Sequence, residues 1–146
     1  MNDIINQIQQ ELIIKFPEAN IYKHNDRRYY ISIPKRKIKE MALFLYQDKG
    51  FRLSIATGID TRDGFEIIYH FSMDKFGTYF NIKVLISKED PIIESITPIL
   101  AAANWIEREI HELLGIDFQG HPNLKPLLTA EDWPEEKFPL RRDYEQ

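Results

Sequence analysis

Apolar positions along this chain change period several times, and each change marks an element. In residues 2–16, Ile4, Ile5, Ile8, Leu12 and Ile13 recur at helical spacing, with Asn2 or Asp3 to cap and Pro17 to stop, so an amphipathic helix is expected there. "NIYKHNDRRYYISIP" then alternates: Tyr29, Ile31 and Ile33 oppose Tyr30 and Ser32, which predicts two short strands around a His24-Asn25-Asp26 turn, closed by Pro34. From Lys35 to about Gln47 the helical period returns in Ile38, Met41, Ala42 and Leu45, and Gly50 can adopt the backbone conformation that ends a helix.

Period two then resumes over 51–60, 65–72 and 78–87, separated by "TRDG" and "MDKFG", so three strands are expected as an antiparallel meander. Phe65, Ile67, Tyr69 and Phe71 share one face of the middle strand; Phe80, Ile82, Val84 and Ile86 share one face of the next. Such a face needs helices over it. A third helix is expected from Thr97 as cap and Pro98 as first residue to Leu114, before Gly115, with Ile99, Ala102, Ala103, Ile106, Ile110 and Leu113 inward. The sum is an α+β fold: one two-layer domain over 1–115, an antiparallel sheet covered by helices.

Residues 116–146 break the pattern. They show neither period and carry Pro122, Pro126, Pro134 and Pro139, yet also hold Ile116, Phe118, Leu124, Leu127, Leu128, Trp133, Phe138, Leu140 and Tyr144. Prolines block regular structure, while so many apolar side chains need a surface to cover. An extended C-terminal arm of the same domain is expected, laid either across a partner protein or back over the exposed face of its own sheet.

Composition narrows the chemistry. At 146 residues the chain fits one domain, and a net charge of -4 argues against nucleic acid, whose phosphates require a basic field. The run Lys35, Arg36, Lys37 and Lys39 reads as a solvated helix end. With no cysteine, disulfides, thiolate nucleophiles and the usual ligands of iron-sulfur or nickel-iron centres are excluded, so any such centre must belong to another chain. No apolar run reaches membrane-spanning length and residues 1–16 lack a signal-peptide core, so a cytoplasmic protein is expected, in membrane contact only through partners.

Three readings of "NWIEREIHELLGIDFQGHP" compete. Glu107 and His111, four apart on one helix face, with His121 from the loop, would make a metal site, and Glu107 or Glu109 with His111 an acid/base pair. The helical metal motifs have an acid three residues before the histidine, whereas Arg108 stands there. No serine elbow, phosphate loop or dinucleotide fingerprint accompanies them, and Gly58, Gly64 and Gly77 read as isolated turn glycines. His24 and His70 read as plain turn and strand residues. The third reading makes Glu107-Arg108-Glu109 a clamp tying the helix to the Gly115–Gly120 turn and the arm. Successive helical residues point about 100° apart, so the three cannot all face one site.

"PIIESITPILAAANWIEREIHELLGIDFQGHPNLKPLL", continued by "DWPEEKFPLRRDY", closely resembles the signature region of the C-subunit family of NADH:quinone oxidoreductase (complex I), which includes the corresponding chain of membrane-bound energy-converting nickel-iron hydrogenases. The likeness covers about two-thirds of the chain, with "GID" at 58–60 and "FEIIYHF" upstream, and is strong after Pro91. The resemblance implies a non-catalytic assembly subunit, peripheral on the cytoplasmic side of the membrane, that binds no cofactor and docks on the large hydrogenase-like subunit. Iron-sulfur clusters and a nickel-iron or quinone site would lie in that subunit and its iron-sulfur neighbours. Positions matching the family pattern, taken as interface or structural residues, are Trp105, Glu107, Arg108, Glu109, Gly115, Phe118, Gly120, His121, Pro122, Asp132, Trp133, Pro139, Leu140, Arg141, Arg142, Asp143 and Tyr144. Lys125-Pro126 and "PEEKF" depart from the complex I pattern toward the hydrogenase side. The rivals are an autonomous metal-dependent enzyme using Glu107, His111 and His121, and an adaptor for an unrelated partner.

Overall fold

The computed structural model describes residues 2–124. Helix α1 (Asn2–Lys15) stops before Pro17 and buries Ile5, Ile8 and Leu12, with Phe16 just beyond it. Its inner stripe is narrower than the spacing suggested, because Ile4 and Ile13 turn outward. Strands β1 (Asn20–Lys23) and β2 (Arg28–Ser32) form the expected hairpin. Its turn is held by the Asn25 carboxamide, which accepts the N–H groups of Arg27 and Arg28 at 2.8 and 2.9 Å.

The second helix is not one uniform spiral. A 3₁₀ turn (Lys35–Lys37) leads into α2 (Ile38–Ala42), which widens into a π turn (Leu43–Asp48), where the Lys49 N–H reaches back to the Phe44 carbonyl. The wider turn admits an extra residue while Phe44 and Leu45 stay in the core, and Gly50, at φ +77°, reverses the chain. The basic run on this segment is neutralised locally: Arg36 pairs with Glu18, Lys37 with Glu40 and Lys39 with Glu94.

Strands β3 (Arg52–Asp60), β4 (Phe65–Met73) and β5 (Thr78–Ile86) form the meander, and the five-stranded sheet has the order β1-β2-β5-β4-β3. Three of its four ladders are antiparallel; β2 against β5 is parallel, Ile31 facing Ile82. Alternation shows which side of a strand is buried but not which neighbour it pairs with, so the parallel ladder was not visible in the sequence. As expected, Phe65, Ile67, Tyr69, Phe71, Phe80, Ile82, Val84 and Ile86 are all buried, under a layer of α1, α2, the π turn and α3 (Ala103–Leu114). The two-layer α+β architecture holds. The other sheet face carries Tyr22, Ile55 and Leu85, exposed.

Two small strands, β6 (Ile92–Glu94) and β7 (Asp117–Gln119), pair in parallel as a separate two-stranded sheet. The stretch expected to be irregular thus begins with a strand, and Ile116 and Phe118 are buried in the common core. Three-residue strands are too short to display a period.

Candidate functional site

Helix α3 begins at Ala103, five residues after Pro98, so the expected Thr97 cap is absent. Thr97 is committed elsewhere: its hydroxyl donates to Oε1 of Glu107 at 2.7 Å and its N–H to the Ser95 hydroxyl at 3.1 Å. Residues 97–102 make turns instead, with the N–H groups of Ile99 and Leu100 both meeting the Ile96 carbonyl at 3.0 Å. Ala102, expected inward, is exposed, and Leu113 is half-buried; the buried residues of α3 are Ala103, Glu107, Ile110, Glu112 and Leu114.

Glu107 is therefore a carboxylate on the core side of a helix, only 1% exposed. Its Oε1 also accepts from the Ser95 hydroxyl at 2.5 Å, and its Oε2 from the Ile96 N–H at 2.9 Å. A buried charge is tolerated only when its lone pairs are satisfied, and here three donors from one turn supply that. Burial pushes the Glu107 carboxyl above its usual range; the donors from Ser95, Ile96 and Thr97, and His121 when it is charged, pull it back in part. Across the core, burial and the same carboxylate hold the Tyr69 phenol well above its ordinary value.

The clamp expected from the charged triplet thus exists in another form: Glu107 ties α3 to the turn before it, not to the Gly115–Gly120 turn after it. Arg108 is half-buried with its guanidinium over the Trp105 ring, 5.6 Å from the centroid, and Glu109 is exposed. Gly115, at φ +80°, ends α3 with its N–H on the His111 carbonyl. Gly120 turns the chain at φ +84°, and Pro122 is exposed.

The histidines close loops. His111 Nδ1 bonds the Ile116 carbonyl at 2.8 Å, securing the chain as it leaves α3. Nε2 of His121 bonds the Asn104 carbonyl at 3.1 Å, while its Nδ1 accepts the Asn123 N–H at 2.8 Å. Among the described residues no group of three His, Cys, Asp or Glu side chains is placed to hold a metal ion. A surface depression of about 420 Å³ lies on the β1–β2 hairpin, lined by Asn20, Tyr22, His24, Tyr30, Ser32 and Lys83, and gathers none of Glu107, His111 and His121. Asp132, Trp133, Pro139, Leu140, Arg141, Arg142, Asp143 and Tyr144 lie outside the described residues.

The sequence did not reveal the parts played by four residues. Ser95 and Thr97 carry no motif of their own, and only a buried acid ten to twelve residues on would have pointed to them. Gly58 is not a turn residue but lies within β3 beneath α3: a Cβ there would stand 2.8 Å from the Leu114 side chain and 3.2 Å from that of Ile110. His70 also has partners, the Thr57 hydroxyl at 3.1 Å and the Asn81 carboxamide at 2.7 Å, across β3, β4 and β5.

Residues 31–146 match the respiratory-chain NADH dehydrogenase 30 Kd subunit family, and the chain belongs to that family. It is 36% identical, over 94% of its length and 90% of the relative's, to the F(420)H(2) dehydrogenase C-subunit of Methanosarcina mazei. It is 37% identical to the NADH-quinone oxidoreductase C-subunit of Chloroherpeton thalassium over 71% of this chain and 45% of that one, and 33% identical to formate hydrogenlyase subunit 5 of Escherichia coli over 77% and 21%. The fold matches a chain of the archaeal membrane-bound sulfane sulfur reductase complex with a TM-score of 0.85 and 24% identity, covering 98% of this chain and 84% of that one. No helix among the described residues is long and apolar enough to cross a membrane.

Proposed function

We propose that this chain is a non-catalytic assembly subunit of a membrane-bound oxidoreductase, of the complex I or energy-converting hydrogenase type, and that its C-terminal arm docks on the large hydrogenase-like subunit. The observation that carries this reading is the state of Glu107. Both oxygens of the acid at the centre of the signature helix are taken by donors of the chain itself, so it serves the fold and is not presented to a substrate. Electron carriers belong, on this reading, to the partners, in keeping with a sequence without cysteine. The signature positions of 132–144 act as anchors on the partner's surface, and membrane contact is made through that partner on the cytoplasmic side.

Co-expression with the large subunit tests the reading. The full chain is expected to co-purify with it, and a chain ending at Leu124 to lose the partner while keeping a cooperative melting transition. Turnover by the isolated chain, or undiminished assembly without residues 125–146, would overturn it.

A further inference from the structure

Trp105 and Glu107 are two positions apart, about 200° around a helix, so with Glu107 turned into the body Trp105 must turn out. It is 66% exposed, although its large ring gains most from burial. Ala101 and Ala102, just before α3, are exposed as well, and Arg108, one turn on, stacks its guanidinium over the indole. The result is an apolar patch with one cation on its rim. Trp and Arg are the side chains most enriched where a few contacts dominate binding.

A second observation concerns where the chain leads. His121 uses both ring nitrogens at once, Nδ1 accepting from the Asn123 N–H and Nε2 bonding the Asn104 carbonyl in the first turn of α3. Only the neutral ring with its proton on Nε2 satisfies both. The ring pins residues 121–123 to the first turn of α3, one residue before Trp105 in the sequence, and residues 125–146 come next in the chain. On the docking role proposed above, the exposed face beside this turn is the part of the body nearest to where the gripping chain begins.

We infer that the outer face of Ala101, Ala102, Trp105 and Arg108 is a second contact surface for the subunit that the arm grips, with Trp105 filling an apolar recess of that subunit, and with His121 as the positioning residue that fixes the chain on the first turn of α3 just before the arm begins. The inference rests on the docking role proposed above and names where on the body that docking continues.

The test uses the full chain and the purified large subunit, with affinity and association rate measured for Trp105→Ala, His121→Ala, His121→Gln and, on the open sheet face, Leu85→Ser. Trp105→Ala is expected to weaken binding at least tenfold with no change in the melting temperature of the isolated chain. His121→Ala is expected to slow association, and His121→Gln, which keeps a donor for the Asn104 carbonyl, to recover part of the rate. Leu85→Ser is expected to bind like the wild type. Wild-type affinity in Trp105→Ala, while loss of residues 125–146 abolishes binding, overturns this inference and leaves the docking role intact. So does a lowered melting temperature in Trp105→Ala, which would place the indole under the chain's own arm, or a defect confined to Leu85→Ser. A wild-type chain that does not bind overturns the docking role itself.

Discussion

The meander and the junction around α3 hold together by different means. In β4 and β5, eight alternating apolar side chains fill one face of the sheet, and what matters is that each is apolar and of the right volume. In the junction, Glu107, Ser95, Thr97, His111 and His121 are joined by specific donor–acceptor bonds, each to particular partners. A volume rule specifies the first region and a pairing rule the second. The two therefore respond differently to substitution.

The largest expected effect tests the volume rule: Phe71→Ala should cost about 3–5 kcal/mol by urea denaturation, from lost burial and the cavity left behind. Glu107→Ala tests the pairing rule with almost no change in the sheet. It strands two hydroxyls and an amide in the interior and should cost about 2–3 kcal/mol. A loss no greater than that of the exposed Glu109→Ala would erase the distinction between the regions. Gly58→Ala probes the seam between them, where the added methyl meets Leu114 and Ile110; about 1–3 kcal/mol is expected, recovered in part by Leu114→Val.

The smallest effect is a dependence on pH. Because burial raises the Glu107 carboxyl in the folded state, the fold retains that proton where the unfolded chain has released it. Stability contributed by this group is thus highest at and below its ordinary value of 4.5 and falls as pH rises from there toward the raised folded value, after which it is level. Glu107→Gln should remove this component, and parallel pH profiles for the two proteins would show that the carboxylate is not desolvated.

The same contrast explains what could be read from the sequence. The apolar alternation of 65–86, the Asn25 turn and the helix before Pro17 were legible because each is encoded by neighbours in the chain. The start of α3 was misplaced because Thr97 looks like a cap, and only the folded chain shows its hydroxyl spent on Glu107. Glu107 drew attention as a charge, yet its role depends on Ser95 and Thr97, whose side chains carry no period. Gly58 looked like punctuation, since nothing local reveals a helix crossing above it. The parallel ladder between β2 and β5 was hidden for the same reason, its partners being far apart in the chain.

That ladder also sets an order of events during synthesis. A ribosome releases β2 well before β5, so the hydrogen-bonding edge that Ile31 offers to Ile82 stays open until the whole meander has emerged. The N-terminal hairpin must wait as an unfinished edge, open to pairing with a neighbouring nascent chain. Chaperone dependence should consequently fall sharply once Ile86 has emerged from the ribosome, and nascent chains arrested before that point should be the ones that aggregate.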